Sequence, residues 1–212
     1  MNFKIVTAVT TEPVTLAEAR LALRLTDDDP TDEDSLITAW ITAAREIAEH
    51  YTGRALAAQT LEAALDAFPC SADRAWRLAF PHGDFIDLPR PPVASITSVK
   101  YTDTAGVEQT ISSSAYALSP YGLSNRIAPT YGNYWPSTQR IPDAVRIRYV
   151  TGYGASGQPA GGEFVTVPKS VKSAILLMVV WFNEHRGDEM DPNDIQPPAA
   201  KALLNTVKVW GR

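Results

Sequence analysis

Gly152-Tyr153-Gly154-Ala155-Ser156-Gly157 spells G-x-G-x-x-G directly after a stretch with strand pattern, the wording of a dinucleotide site. Such a site needs its glycines to open a helix whose N-terminus faces the pyrophosphate. Here Gln158-Pro159-Ala160-Gly161-Gly162 follows and helical pattern returns only after Pro168, so the motif reads as a glycine-rich link and no cofactor is expected. Asp27, Asp29, Asp32 and Asp34 have the density of calcium-loop carboxylates, but the turn glycine and the closing bidentate glutamate are absent. Helix capping and solvation account for them, and any cation there would be adventitious. His50 and His185 fall in the last turns of expected helices, where positive charge is favoured, and His82 sits in a Pro81-His82-Gly83 turn. No H-x-x-x-H or H-E-x-x-H spacing is present to hold a metal, and Glu184 and His185, being adjacent, diverge on the helix. Ser156 lacks the flanks of a nucleophile elbow, and Cys70, with no histidine nearby in sequence, reads as a small, partly buried thiol. The expectation is a protein without catalytic, cofactor-binding or metal-binding residues, and not an enzyme.

Composition narrows the classes further. A chain of 212 residues with 45% apolar side chains has ample material for a packed core. A net charge of −5 gives no basic field to hold a phosphate backbone, which argues against tight nucleic-acid binding by the free chain. The single cysteine excludes an internal disulfide and suits a reducing cytosol. No h-region follows Met1-Asn2-Phe3-Lys4-Ile5-Val6, so secretion is not signalled. The longest apolar run, residues 174–182, is well short of the ~18–20 residues that span a bilayer; it predicts a buried helix and no membrane contact.

The elements follow from capping and period. Thr15 with Glu18 three residues on is a capping box, with Val14 and Ala19 as its staple, and predicts a short helix to about Leu25. A second helix is expected from near Thr31 to a stop at Gly53, with an apolar stripe through Leu36, Trp40, Ala44, Ile47 and Tyr51 and with Ile37, Ile41 and Ala48 beside it. Beyond Leu56 the period shortens. Residues 59–65 suit either helix or strand, while residues 76–80, 96–99 and 145–150 predict strands of an antiparallel sheet, and Asp103-Thr104-Ala105-Gly106 a turn. Leu88-Pro89-Arg90-Pro91-Pro92-Val93 is expected to be a stiff extended arm, with the reading as a ligand for an SH3-like groove beside it. The tyrosines and tryptophan of residues 116–135 suit a contact surface, or equally hairpins packed on their own sheet. Pro168 opens a third helix to about Arg186 that is apolar all round over residues 174–182, and must be covered either by the first two helices or by another subunit. A last short helix is expected from Ala199 to about Val209. The fold class is α+β: N-terminal helices (1–55) and C-terminal helices with a tail (166–212) form one helical layer, into which an antiparallel β region (56–165) is inserted, all as a single unit.

Taken in order, Val14-Thr15-Leu16-Ala17-Glu18-Ala19-Arg20, the acid-rich turn, Ala43-Ala44-Arg45-Glu46 through Thr52-Gly53-Arg54-Ala55-Leu56, the proline run and Val167-Pro168 with the apolar helix to Asn183-Glu184-His185-Arg186 resemble the head–tail connector (adaptor) family of long-tailed bacteriophages. The likeness is closest to the longer variety with an inserted β domain, which also occurs in gene transfer agents. It implies a structural virion protein at the head–tail interface, assembled in the bacterial cytoplasm as a ring of twelve copies. Its partners would be sister copies, the portal protein above and a neck or tail component below, with DNA passing through the channel without specific binding. The resemblance also implies a C-terminal segment that reaches into the portal, here Leu203, Leu204, Val207, Val209, Trp210 and Arg212. Trp40, Tyr121, Tyr131, Tyr134, Trp135 and Trp181 are the candidates for contacts between copies. An acidic channel lining that lets DNA slide is a further expectation. Alternatives are another neck component such as a stopper or tail terminator, a small hydrolase using Ser156, Cys70 or a carboxylate, and an acidic binding module without a ring.

Overall fold

The computed structural model describes residues 1–26, 29–69, 84–119, 125–154, 166–186 and 197–209. The strand expected at residues 76–80 lies outside them, as do Asp27, Cys70, His82, Tyr121, Ser156, Trp210 and Arg212. Among the described residues the class is α+β, with four helices and two antiparallel sheets. The chain divides into two compact units, Met1–Ala8 with Ala58–Val165 and Val9–Ala57 with Thr166–Arg212, where the sequence suggested one.

The β unit starts earlier than the helical N-terminus expected for residues 1–55 would allow. Strand β1 (Asn2–Thr7) pairs antiparallel with β2 (Gln59–Leu65), which settles the ambiguous residues 59–65 as strand. β8 (Val145–Thr151) follows β2, then β4 (Val93–Thr102), then β5 (Glu108–Ile111), giving the order β1-β2-β8-β4-β5. β3 (Ile86–Asp87), β7 (Arg126–Pro129) and β6 (Tyr116–Leu118) form a second sheet. Strict alternation turns Val145, Ile147 and Tyr149 to one face of β8, and all three are fully buried. They form one core with Leu61, Ala63 and Val99 from the large sheet and Ile86, Tyr116 and Ile127 from the small one. Each valine, leucine or isoleucine among them is worth about 1.5–3 kcal/mol of burial.

The proline run is neither an extended arm nor an exposed ligand. Arg90 adopts φ 59°, the Pro91-Pro92 bond is cis, and Leu88, Pro91 and Pro92 are buried. The three prolines contribute no donors, so this bend serves β8 through its carbonyls. Tyr149 Oη donates to Pro89 O at 2.8 Å, Thr151 Oγ1 to Pro92 O at 2.8 Å, and Gly152 N to Pro92 O at 2.9 Å.

In the helical unit, α1 (Leu16–Ala22) begins at the expected capping box: Glu18 N donates to Thr15 Oγ1 at 3.2 Å and Thr15 N to Glu18 Oε2 at 2.8 Å. Val14 and Ala19 are both buried, as the staple requires. α2 (Asp34–Thr52) ends at Gly53, whose φ of 70° suits a residue without a Cβ. Its buried face runs through Ile37, Ile41, Ala44 and Ala48; the expected stripe through Leu36, Trp40 and Tyr51 lies to one side of it and stays partly exposed. α3 (Lys169–Glu184) and α4 (Pro198–Asn205) pack on each other and on α2, and α3 also meets α1.

Candidate functional site

Three features of the described residues bear on function: the uncovered side of α3, the C-terminal tail, and the aromatic segment of the β unit. α3 buries Val171, Ala174, Ile175, Met178 and Val179, positions spaced by three and four that form one face. The opposite side, with Leu176, Leu177, Val180 and Trp181, remains partly open, and Leu177 keeps 38% of its surface. α1, α2 and α4 therefore cover half of a helix that is apolar on both sides. At its end the Trp181 ring stacks on His185 at 4.5 Å, and His185 Nδ1 lies 2.9 Å from Trp181 O, the cation-favouring terminus expected for this histidine. Arg186 reaches α2, donating to both Glu33 oxygens at 2.8 and 2.7 Å and lying 4.8 Å over the Trp40 ring. Trp40 is thereby partly covered within its own unit.

The tail is held to the end of α2. Val209 N donates to Thr52 O at 2.8 Å, Tyr51 Oη donates to Asn205 Oδ1 at 2.6 Å, and Lys208 Nζ sits 4.1 Å over the Tyr51 ring. Of the residues expected to enter the portal, Leu204 is instead fully buried in the helical core, while Leu203, Val207 and Val209 are partly exposed. The helix ends at Asn205, before the expected Val209. This clasp by Tyr51 and Thr52 escaped the sequence reading; the local signal beside it is the glycine at position 53, whose φ of 70° ends α2 next to Val209.

The aromatic segment divides. Trp135 stacks on Phe68 at 4.8 Å with the rings nearly parallel, donates from Nε1 to Asp84 O at 2.6 Å, and so packs on its own sheet. Tyr116 is a core residue. Tyr131 and Tyr134 face solvent fully or nearly so, at 106% and 82% exposure.

Of the described groups singled out for chemistry, Asp29 and Asp34 are engaged structurally. Asp29 accepts from Thr26 N and Oγ1 at 2.5 and 2.8 Å, which holds its carboxyl below the usual range, and Asp34 pairs with Arg20 at 2.5 Å. The described glycines of the G-x-G-x-x-G motif, Gly152 and Gly154, have positive φ and turn the chain away from β8. Among the described residues no three His, Cys, Asp or Glu side chains converge as a metal site. No helix there is long and apolar enough to cross a membrane. Burial pushes the Tyr149 hydroxyl well above its ordinary value, but its proton is committed to Pro89 O.

Comparison with known proteins gives this arrangement a context. Residues 13–114 match the phage gp6-like head-tail connector protein family. The matched stretch takes in α1, α2 and β2 through β5, and so spans parts of both units. The fold is similar over its whole length to a chain in the neck of an empty gene transfer agent particle computed with C6 symmetry (24% identity, 100% of this chain and 97% of that one, TM-score 0.74). It is likewise similar to a chain in the neck of the native particle computed with C12 symmetry (25% identity, 100% and 97%, TM-score 0.70) and to one in the native virion (23% identity, 100% and 97%, TM-score 0.73). No curated protein matches the sequence. The likeness to head–tail connectors expected from the sequence is borne out, and the role it supports is structural, that of a neck connector.

Proposed function

We propose that this chain is the adaptor subunit that joins the portal to the tail or neck: it assembles as a closed ring, twelve copies in the particle, on the portal vertex, and DNA passes through its channel unbound. It works as a joint and not as an enzyme. The ring forms in the bacterial cytoplasm during particle assembly and remains in the virion. The observation that carries the reading is α3, which presents an apolar side that its own unit leaves half open. A connector match supports it, because repeated heterologous contacts around a ring would cover such a surface once per subunit. The net charge of −5 fits a lining that repels the DNA backbone.

The proposed docking tail keeps Leu203, Val207 and Val209, which the helical core leaves partly exposed, together with Trp210 and Arg212 as anchors of the types that dominate interfaces. The test is to mix the purified full chain with its cognate portal and image the complex by electron microscopy, beside a variant ending at Val209. A ring stacked on the portal, formed by the full chain and lost in the shortened one, is the expected result. A full chain that ignores the portal would refute the adaptor role.

A further inference from the structure

Among the described residues, β1 and β5 are the outermost strands of the five-stranded sheet, and they complement each other. The registers place Phe3 opposite Ala63 and Ile5 opposite Leu61, with Leu61 opposite Tyr149 and Ala63 opposite Ile147, so Phe3 and Ile5 lie on the core face. At the other end Ile111 lies opposite Val99 and Gln109 opposite Tyr101, which puts Ile111 and, by alternation, Val107 on that same face. Cover gives out towards both rims: Leu61 and Val99 are buried, whereas Phe3, Ile5 and Val107 are 41%, 59% and 53% exposed.

The other face carries charge. Lys4 pairs with Glu62 at 2.8 Å, and Glu62 with Arg148 at 2.8 Å; further on, Glu108 pairs with Lys100 at 2.9 Å and also with Arg146. The row thus ends in an ammonium at the β1 rim and a carboxylate at the β5 rim. The β1 rim has an apolar side that continues the core, the β5 rim has Ile111 and Val107 on that side with the polar Gln109 between them, and the charged sides of the two rims are of opposite sign.

We propose that β1 of one copy pairs with β5 of the next, so that the large sheets of neighbouring subunits run into one another and Lys4 of one copy meets Glu108 of its neighbour. This deepens the ring reading given above and rests on it. The occupant is a second copy because both halves of the fit, in sign and in apolar side, lie on this one chain. Strand addition satisfies the outward backbone groups of an edge that is otherwise an aggregation hazard. Two different patches in contact cannot close as a two-fold pair, so the contact propagates until rotation closes it.

The test uses the full chain and two variants, Ile5→Lys and Val107→Lys, each of which charges one rim at a residue already more than half exposed; thermal unfolding confirms that both fold. Sedimentation velocity up to millimolar concentration reads self-association. The expected result is that the wild type associates into rings or ring fragments, each variant alone is a monomer, and an equimolar mixture forms heterodimers and goes no further, because only one rim of each remains usable. Dimers of Val107→Lys alone would show β1 meeting β1 and overturn the head-to-tail pairing. Wild-type association that both variants retain would overturn edge pairing and leave the connector role standing. A wild type that stays monomeric at millimolar concentration would overturn the edge contact, while portal binding decides the connector role separately.

Discussion

Arg45 donates to the Glu49 carboxylate at 2.9 Å, one helical turn further along α2, and both side chains are buried. The same guanidinium reaches Glu12 at 2.8 Å, ahead of α1, while Glu49 accepts from Leu56 N at 2.8 Å, beyond the end of α2. One cation therefore ties the segment before the first helix to the segment leaving the second. Arg45→Met removes the guanidinium that Glu12 and Glu49 share at a buried position, for a loss of about 3–5 kcal/mol that chemical denaturation would register. An unchanged denaturation midpoint would show that this network contributes nothing to the helical unit.

Acid should weaken the β unit through Glu62. The hydrogen bond from Lys4, with that from Arg148 behind it, holds this carboxyl below its ordinary value of 4.5 despite burial, which acts the other way. A carboxyl whose value falls on folding contributes stability above its unfolded value and loses it as pH drops through the folded one. Glu18, held low by the Thr15 backbone N–H and then by Lys172, contributes with the same sign in the helical unit. The denaturant midpoint should be flat from neutrality to about pH 5 and fall below it, and Glu62→Gln should make that fall shallower.

Gly53→Ala tests the clasp. An added Cβ would meet Val209 Cβ at an ordinary 3.8 Å, so the cost comes from the backbone at φ 70°. A loss of about 1–2 kcal/mol follows for an L-residue held there. Faster amide exchange at Val209, whose N–H is held by Thr52 O, should accompany it.

Tyr131 and Tyr134 should separate from Trp135. Changing both tyrosines to serine removes side chains that are almost fully exposed and should shift stability by under about 0.5 kcal/mol, while lowering assembly between copies as read by sedimentation velocity. Trp135→Ala removes the Phe68 stack and the bond to Asp84 O, and should cost about 2–3 kcal/mol in an unfolding experiment.

The legible parts of this fold were those written within a few residues. Thr15 and Glu18 announce their helix because both halves of the capping box are local, and Gly53 announces an ending because only a left-handed residue is needed there. Alternation in Val145, Ile147 and Tyr149 was readable because both neighbours of β8 share its inward face. β1 was missed because its strand character comes from Leu61 and Ala63, more than fifty residues away, and not from its own pattern. Likewise nothing local separates Tyr134 from Trp135, or decides that Leu204 turns inward while Leu203 stays half open. Those outcomes depend on Phe68 and on the surrounding helices, which the chain brings up from far along its length. The resemblance implies a docking tail only as a region, and it is tertiary packing that puts Leu204 of that region into the helical core.

The helical unit is stitched from residues 9–57 and 166–212, with the β strands encoded between them. On the ribosome the buried faces of α1 and α2 must therefore wait for α3, over a hundred codons later, a delay of roughly 5–20 s at ordinary elongation rates. Until then Ile37, Ile41 and Ala48 lack their permanent cover, so a prematurely terminated product would be left with greasy helices and no way to finish them. Only chains translated through α4 can complete the helical unit, so the order of the gene makes that unit the last part of the fold to close.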